Sequence, residues 1–129
     1  MKLLLLLPFL VGCGPSEQAE LQKALNQYAE LSAQSAPLEG VLTGEALKSS
    51  LKSADLLAAV GLTQQGKAIF EVQAAGEGLG IGCLDMSAVE LINSQGERVR
   101  PIRPSRVEFE AQYEANFLIS SLAISDKKC

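Results

Sequence analysis

Apolar positions divide the chain into a leader, a helical stretch and a strand-rich remainder. Leu3 to Leu7, Phe9 and Leu10 form an apolar run after Lys2, broken by Pro8. From Glu17 to Gln34, Leu21, Leu25, Tyr28 and Leu31 recur at helical spacing, with Ala24 and Ala29 beside them. Ser16, just behind Pro15, suits the N-cap. The pattern predicts an amphipathic helix packed on its own domain. Its polar face, with Glu17, Glu20, Lys23 and Glu30, lacks the Lys/Arg richness of a membrane-surface helix. Ser35 to Gly40 is a break.

Residues 45–60 carry two patterns at once. Leu47, Leu51, Asp55 and Ala58 make a helical stripe, while Leu47, Ser49, Leu51 and Ser53 alternate like a strand. Ala68 to Ala74 alternates as a strand should. Val89–Ile92 and Arg98–Ile102 flank Asn93-Ser94-Gln95-Gly96-Glu97, a hairpin with glycine where a positive φ is needed. Pro101 and Pro104 confine the second arm to an edge. From Val107, apolar Phe109, Ala111, Tyr113, Ala115, Phe117 and Ile119 alternate with Glu108, Glu110, Gln112, Glu114 and Asn116. That predicts one long half-buried strand, or two with a bend. The expected fold is mainly β, an antiparallel sandwich behind an N-terminal helix. The alternative, if 45–60 is helical, is α+β with two helices packed on an antiparallel sheet.

The leader has a charged start, an apolar core far below the ~20 residues of a spanning helix, and small residues after it. Leu10-Val11-Gly12-Cys13 closes it. These four residues resemble the lipobox of bacterial lipoproteins. The resemblance implies a signal peptide over 1–12, and a Cys13 that carries diacylglycerol, often with a further acyl chain such as palmitate on its amine. Two chains suffice for stable anchoring, at ~0.8 kcal/mol per buried methylene. A membrane lipid anchor would then hold the protein facing the periplasm or cell exterior. Gly14 stands where an Asp usually marks inner-membrane retention, which favours the outer membrane if the host has one.

Cutting before Cys13 leaves 117 of 129 residues and removes Lys2, moving the formal charge from −4 to −5. One domain of that size can build a core without metal. Residues 13–40 would hold the lipidated cysteine, tether and helix, and 41–129 the β domain. An acidic exported chain does not suit nucleic acid. With Cys13 taken by lipid, Cys83 and Cys129 remain. In an oxidising compartment a disulfide between them is the simplest reading. Two free thiols, or Cys129 bonded to another chain, are the alternatives. The chain has no His, hence neither the usual general base nor the commonest metal ligand.

Other candidate chemistry is weak. Gly61-Leu-Thr-Gln-Gln-Gly66-Lys67 spaces its glycines and lysine like a phosphate loop, but Ala68 replaces the magnesium-binding Ser or Thr. No nucleotide is expected, and a turn is the simpler reading. Gly76, Gly78, Gly80 and Gly82 do not fit dinucleotide spacing. Arg98, Arg100, Arg103 and Arg106 form an anion or partner patch. The simpler reading pairs them with Glu108, Glu110 and Glu114 on a neighbouring strand. No two acids are placed together for glycoside cleavage, and no metal or cofactor is implied.

Lys67-Ala-Ile-Phe-Glu-Val-Gln73, a glycine-bearing turn, and the hairpin from Met86 to Pro101 resemble the telokin-like immunoglobulin-fold domain of bacterial lipoproteins of unassigned function. Val89-Glu-Leu-Ile-Asn-Ser-Gln-Gly96 carries most of the likeness. The resemblance implies an immunoglobulin-like sandwich with binding or scaffolding roles and no catalytic residues. The expected function is that of a non-catalytic accessory of the cell envelope, with an envelope protein as partner. The alternatives are a pilot-type lipoprotein escorting an outer-membrane partner, and a small envelope enzyme or enzyme inhibitor.

Overall fold

The computed structural model describes residues 16–99 and 105–129. Leu10, Val11, Gly12, Cys13, Arg100 and Arg103 lie outside the described residues. The architecture is mostly antiparallel β with two helices: α1 (Glu17–Ala33), α2 (Gly44–Ala59), β1 (Thr63–Gln65), β2 (Ile69–Gly76), β3 (Leu79–Asp85), β4 (Glu90–Ile92), β5 (Arg98–Val99), β6 (Arg106–Tyr113) and β7 (Ile119–Lys128). The larger sheet has the order β2-β3-β6-β7, and the smaller β1-β4-β5.

Helix α1 starts where a capping side chain is available. Ser16 Oγ accepts the Ala19 N–H at 3.1 Å, satisfying one orphan donor of the first turn. Leu21, Leu25 and Ala29 are its buried stripe. They meet one face of the larger sheet, built from Phe70, Val72, Leu84, Val107, Phe109, Ala111 and Tyr113. Phe70 meets Phe109 edge-on at 5.2 Å.

One glycine lets the helix come close and a second makes room within the sheet. In the register, Gly82 lies between Val72 and Phe109, and Gly80 between Ala75 and Ala111. A Cβ on Gly80 would strike Leu21 Cδ2, and one on Gly82 would strike the Glu71 carbonyl and Phe109. These glycines serve packing. The turn of the group is Gly76-Glu77-Gly78, where Glu77 and Gly78 have positive φ.

All of residues 45–60 but the capping Val60 are helix, so the segment that the immunoglobulin reading uses as its first strand is α2. Of α2 only Ala46 is buried. Its Ala/Ser-rich sequence supplies no β-branched residues for a pleated surface. The run from Val107 to Ile119 is two strands. Glu114 and Leu118 close the reversal, through Glu114 N–H to the Leu118 carbonyl at 2.9 Å. Phe117 takes φ 61° there and stacks on Tyr113 at 5.3 Å. Ala115 is exposed at the tip.

The sheet has two distinct ends. Both hairpin turns, 76–79 and 113–119, sit at one end by register. Ile69, Asp85, Arg106 and Lys128 mark the other. The excursion through β4 and β5 leaves and rejoins at that second end, where Met86 N–H bonds the Ser105 carbonyl at 2.7 Å.

Candidate functional site

Cys83 and Cys129 form a disulfide with their Cα atoms 5.9 Å apart. Cys83 is on β3 and Cys129 follows β7, with β6 between them. Second-neighbour strands stand ~9.6 Å apart, so the last residue leaves the ladder and crosses over β6. It does so on the face away from α1, and Cys83, though on that open face, is only 1% exposed.

Of the four arginines, the described Arg98 and Arg106 lie on different sheets. Arg98 Nε sits 3.1 Å from Glu90 Oε2 within the small sheet. Arg106 Nη2 sits 4.0 Å from Glu71 Oε2 on the large one. Neither of these pairs involves Glu108, Glu110 or Glu114, as the simpler reading expected. Glu108 and Glu110 lie on β6 itself, and their strand partners are Cys83, Ile81 and Ala123. All three glutamates face solvent.

The glycine-lysine segment follows a helix and contains strand β1, with a second strand after it, so it lacks the strand-before, helix-after order of a phosphate loop. Gly66 has φ 79° and backs onto the Ala88 carbonyl. Lys67 Nζ donates to Glu30 Oε2 at 2.8 Å, and that contact lowers the Glu30 pKa. Asp85 accepts the Ser87 N–H at 2.9 Å, which holds its carboxyl below the usual range and shapes the exit from β3.

The contacts of three side chains escaped the sequence pattern. Gln22 accepts the Val72 N–H at 2.9 Å and donates to the Phe70 carbonyl at 2.6 Å. Gln18 donates to the Val72 carbonyl at 2.9 Å. Together they close the outer edge of β2, as a neighbouring strand would. Tyr113 donates from its hydroxyl to Glu17 Oε1 at 2.7 Å, tying the first turn of α1 to the end of β6. Burial, then the Glu17 carboxylate, pushes the Tyr113 pKa up to about 12.

A groove of about 690 Å³ lies between α1, α2 and the floor of β7. Tyr28, Ala46, Ser50, Leu57, Leu122 and Ile124 are among its lining residues. Tyr28 and Ser50 share a 3.4 Å hydroxyl contact across it. Leu51 also lines it and is 52% exposed, and Leu56 on α2 and Val60 just past its end leave further apolar surface. Among the described residues no group of three His, Cys, Asp or Glu is placed to hold a metal ion. None of the described helices is long and apolar enough to cross a membrane. Compared with protein-family models, curated proteins and solved structures, the chain matches none.

Proposed function

We propose that the protein is a lipid-anchored lipoprotein of the cell envelope that binds a partner without catalysis. The groove between α1 and α2 carries this reading, since apolar surface left open beside a cleft is the usual mark of a binding face. The Cys83–Cys129 disulfide suits an exported chain. Exposed Glu108, Glu110 and Glu114 count against an acid–base centre built on them, because catalytic carboxylates need a shielded cleft. Attachment through Cys13 to the outer membrane belongs to the same proposal. So does an immunoglobulin-like relationship for the strands after Lys67. Its support is the hairpins at β2–β3 and β4–β5, and the helix at Gly44–Ala59 takes away its first strand.

The test is crosslinking in cells followed by recovery of the tagged protein from membranes. One envelope protein should be enriched, and Ala54→Arg, on α2 where Ala54 lines the groove, should remove it. Radiolabelled palmitate should enter the wild-type chain and be absent after Cys13→Ser. Enrichment that ignores the groove substitution overturns the binding site. An unlabelled, soluble wild-type chain overturns the anchor.

A further inference from the structure

The end of the sheet that holds both hairpin turns also holds the start of α1, because Tyr113 grips Glu17. Only Gly14 and Pro15 separate Cys13 from the Ser16 cap. Three residue steps reach at most ~11 Å. If Cys13 carries lipid, this end of the molecule cannot stand far from the headgroups. Its apolar groups are Leu79, 43% exposed, and half-buried Phe117 and Leu118. Its charges include Glu17, Glu20, Glu77 and Glu114, with the exposed Glu45–Lys48 pair on α2, whose start meets this end through the Thr43 N–H to the Ile119 carbonyl. Neither turn, 76–79 or 113–118, contains Lys or Arg.

We propose that this end, led by Leu79 and Leu118, is a docking surface for a zwitterionic lipid bilayer. The inference rests on the lipid-anchor reading above. The apolar tips enter the interfacial layer, and the carboxylates select against anionic lipid within a Debye length of ~10 Å. Turns that carry carboxylates and no cation of their own gain little from a negatively charged leaflet, where attraction comes from Lys and Arg. The strands then stand on the membrane. Ile69, at the opposite end of eight-residue β2, sits ~25 Å further out.

The protein has no Trp, so single tryptophans report position. Leu79→Trp, Leu118→Trp and Ile69→Trp are made in the full lipidated chain and placed in phosphatidylcholine–phosphatidylethanolamine vesicles with brominated acyl chains. The Leu79→Trp and Leu118→Trp reporters should lose emission, and Ile69→Trp, itself 56% exposed, should keep it. Adding phosphatidylglycerol at low salt should restore emission at the two tips, and Glu77→Gln with Glu114→Gln should cancel that restoration. Two tip reporters keep the test valid if one variant fails to fold. Loss of emission at Ile69→Trp equal to that at the tips overturns the proposal, as does no loss anywhere. The mass of the N-terminal peptide separates the two failures. An acylated peptide with that quenching pattern sinks only the orientation, and an unacylated one sinks the anchor with it.

Discussion

Gln22 on α1 stands where a fifth strand would stand, accepting the N–H of Val72 and donating to the carbonyl two residues before it. An edge strand is an invitation to another chain, and proteins blunt it in various ways. Here the covering helix supplies the partner groups. Gln22→Leu should remove both bonds and cost about 1–3 kcal/mol, the penalty of a buried donor left unpaired. Urea denaturation would show a lower midpoint at unchanged slope. Gln22→Glu keeps the acceptor but sets a carboxylate against the Phe70 carbonyl, so its deficit should shrink as pH falls.

Gly82 should tolerate no side chain. The Glu71 carbonyl is backbone and cannot give way, and Phe109 Cε2 is 2.8 Å from where a Cβ would sit. Gly82→Ala should destabilise by about 1–3 kcal/mol, as overpacking does. Gly80→Ala meets the movable tip of Leu21 and should cost less. Thermal melts of the two variants measure the difference.

The disulfide closes a span of 46 residues. In the loop-entropy model such a closure stabilises by ~4 kcal/mol. Cys83→Ala with Cys129→Ala, or reduction of the wild type, should lower the unfolding temperature. The two treatments should agree, since Cys129 makes its crossing over β6 through this bond.

Tyr113 gives a pH dependence with a defined sign. Its hydroxyl is held neutral in the fold up to about 12, while an unfolded tyrosine ionises near ~10. The folded state therefore keeps a proton that the unfolded state loses. This contribution is full below ~10 and is lost as pH climbs through about 12. Tyr113→Phe should flatten that part of the stability profile. Ultraviolet titration of the phenolate would show a late step in the wild type that the variant lacks. At the acidic side Asp85 has the opposite sign: its lowered pKa contributes stability that disappears as pH falls through the folded value.

Much of this was readable in the residues themselves. Ser16, the Leu21–Leu25 stripe, the Gly96 turn and the alternation from Val107 to Tyr113 all lie where the pattern put them. Each caps a helix, buries a strong apolar period or needs a positive φ. The Cys83–Cys129 pairing is the simplest of the three arrangements the sequence allowed, and the two sulfurs do meet. Residues 45–60 were ambiguous for a reason visible in the fold: α2 buries only Ala46, so no firm stripe was ever required of its sequence. The reversal at 114–118 was hidden because Ala115 and Phe117 continue the parity of the strand, with Phe117 folded back on Tyr113. Gln18 and Gln22 have no signature at all, because a helix-borne amide looks the same whether it meets water or a strand edge. The Arg98 and Arg106 partners depended on strand order, which composition does not encode.

The scant burial of α2 has a dynamic meaning. Leu51, Leu56 and Val60 keep 52%, 59% and 68% of their surface in water, so little apolar area is lost when this helix lifts away. Cooperative units with few buried contacts open first. Its amides should exchange with deuterium well ahead of those in β3 and β6, and faster still after Ala46→Gly. The wall of the cleft is then the part of the molecule that breathes, and an occupant would be read out as slowed exchange along this one helix.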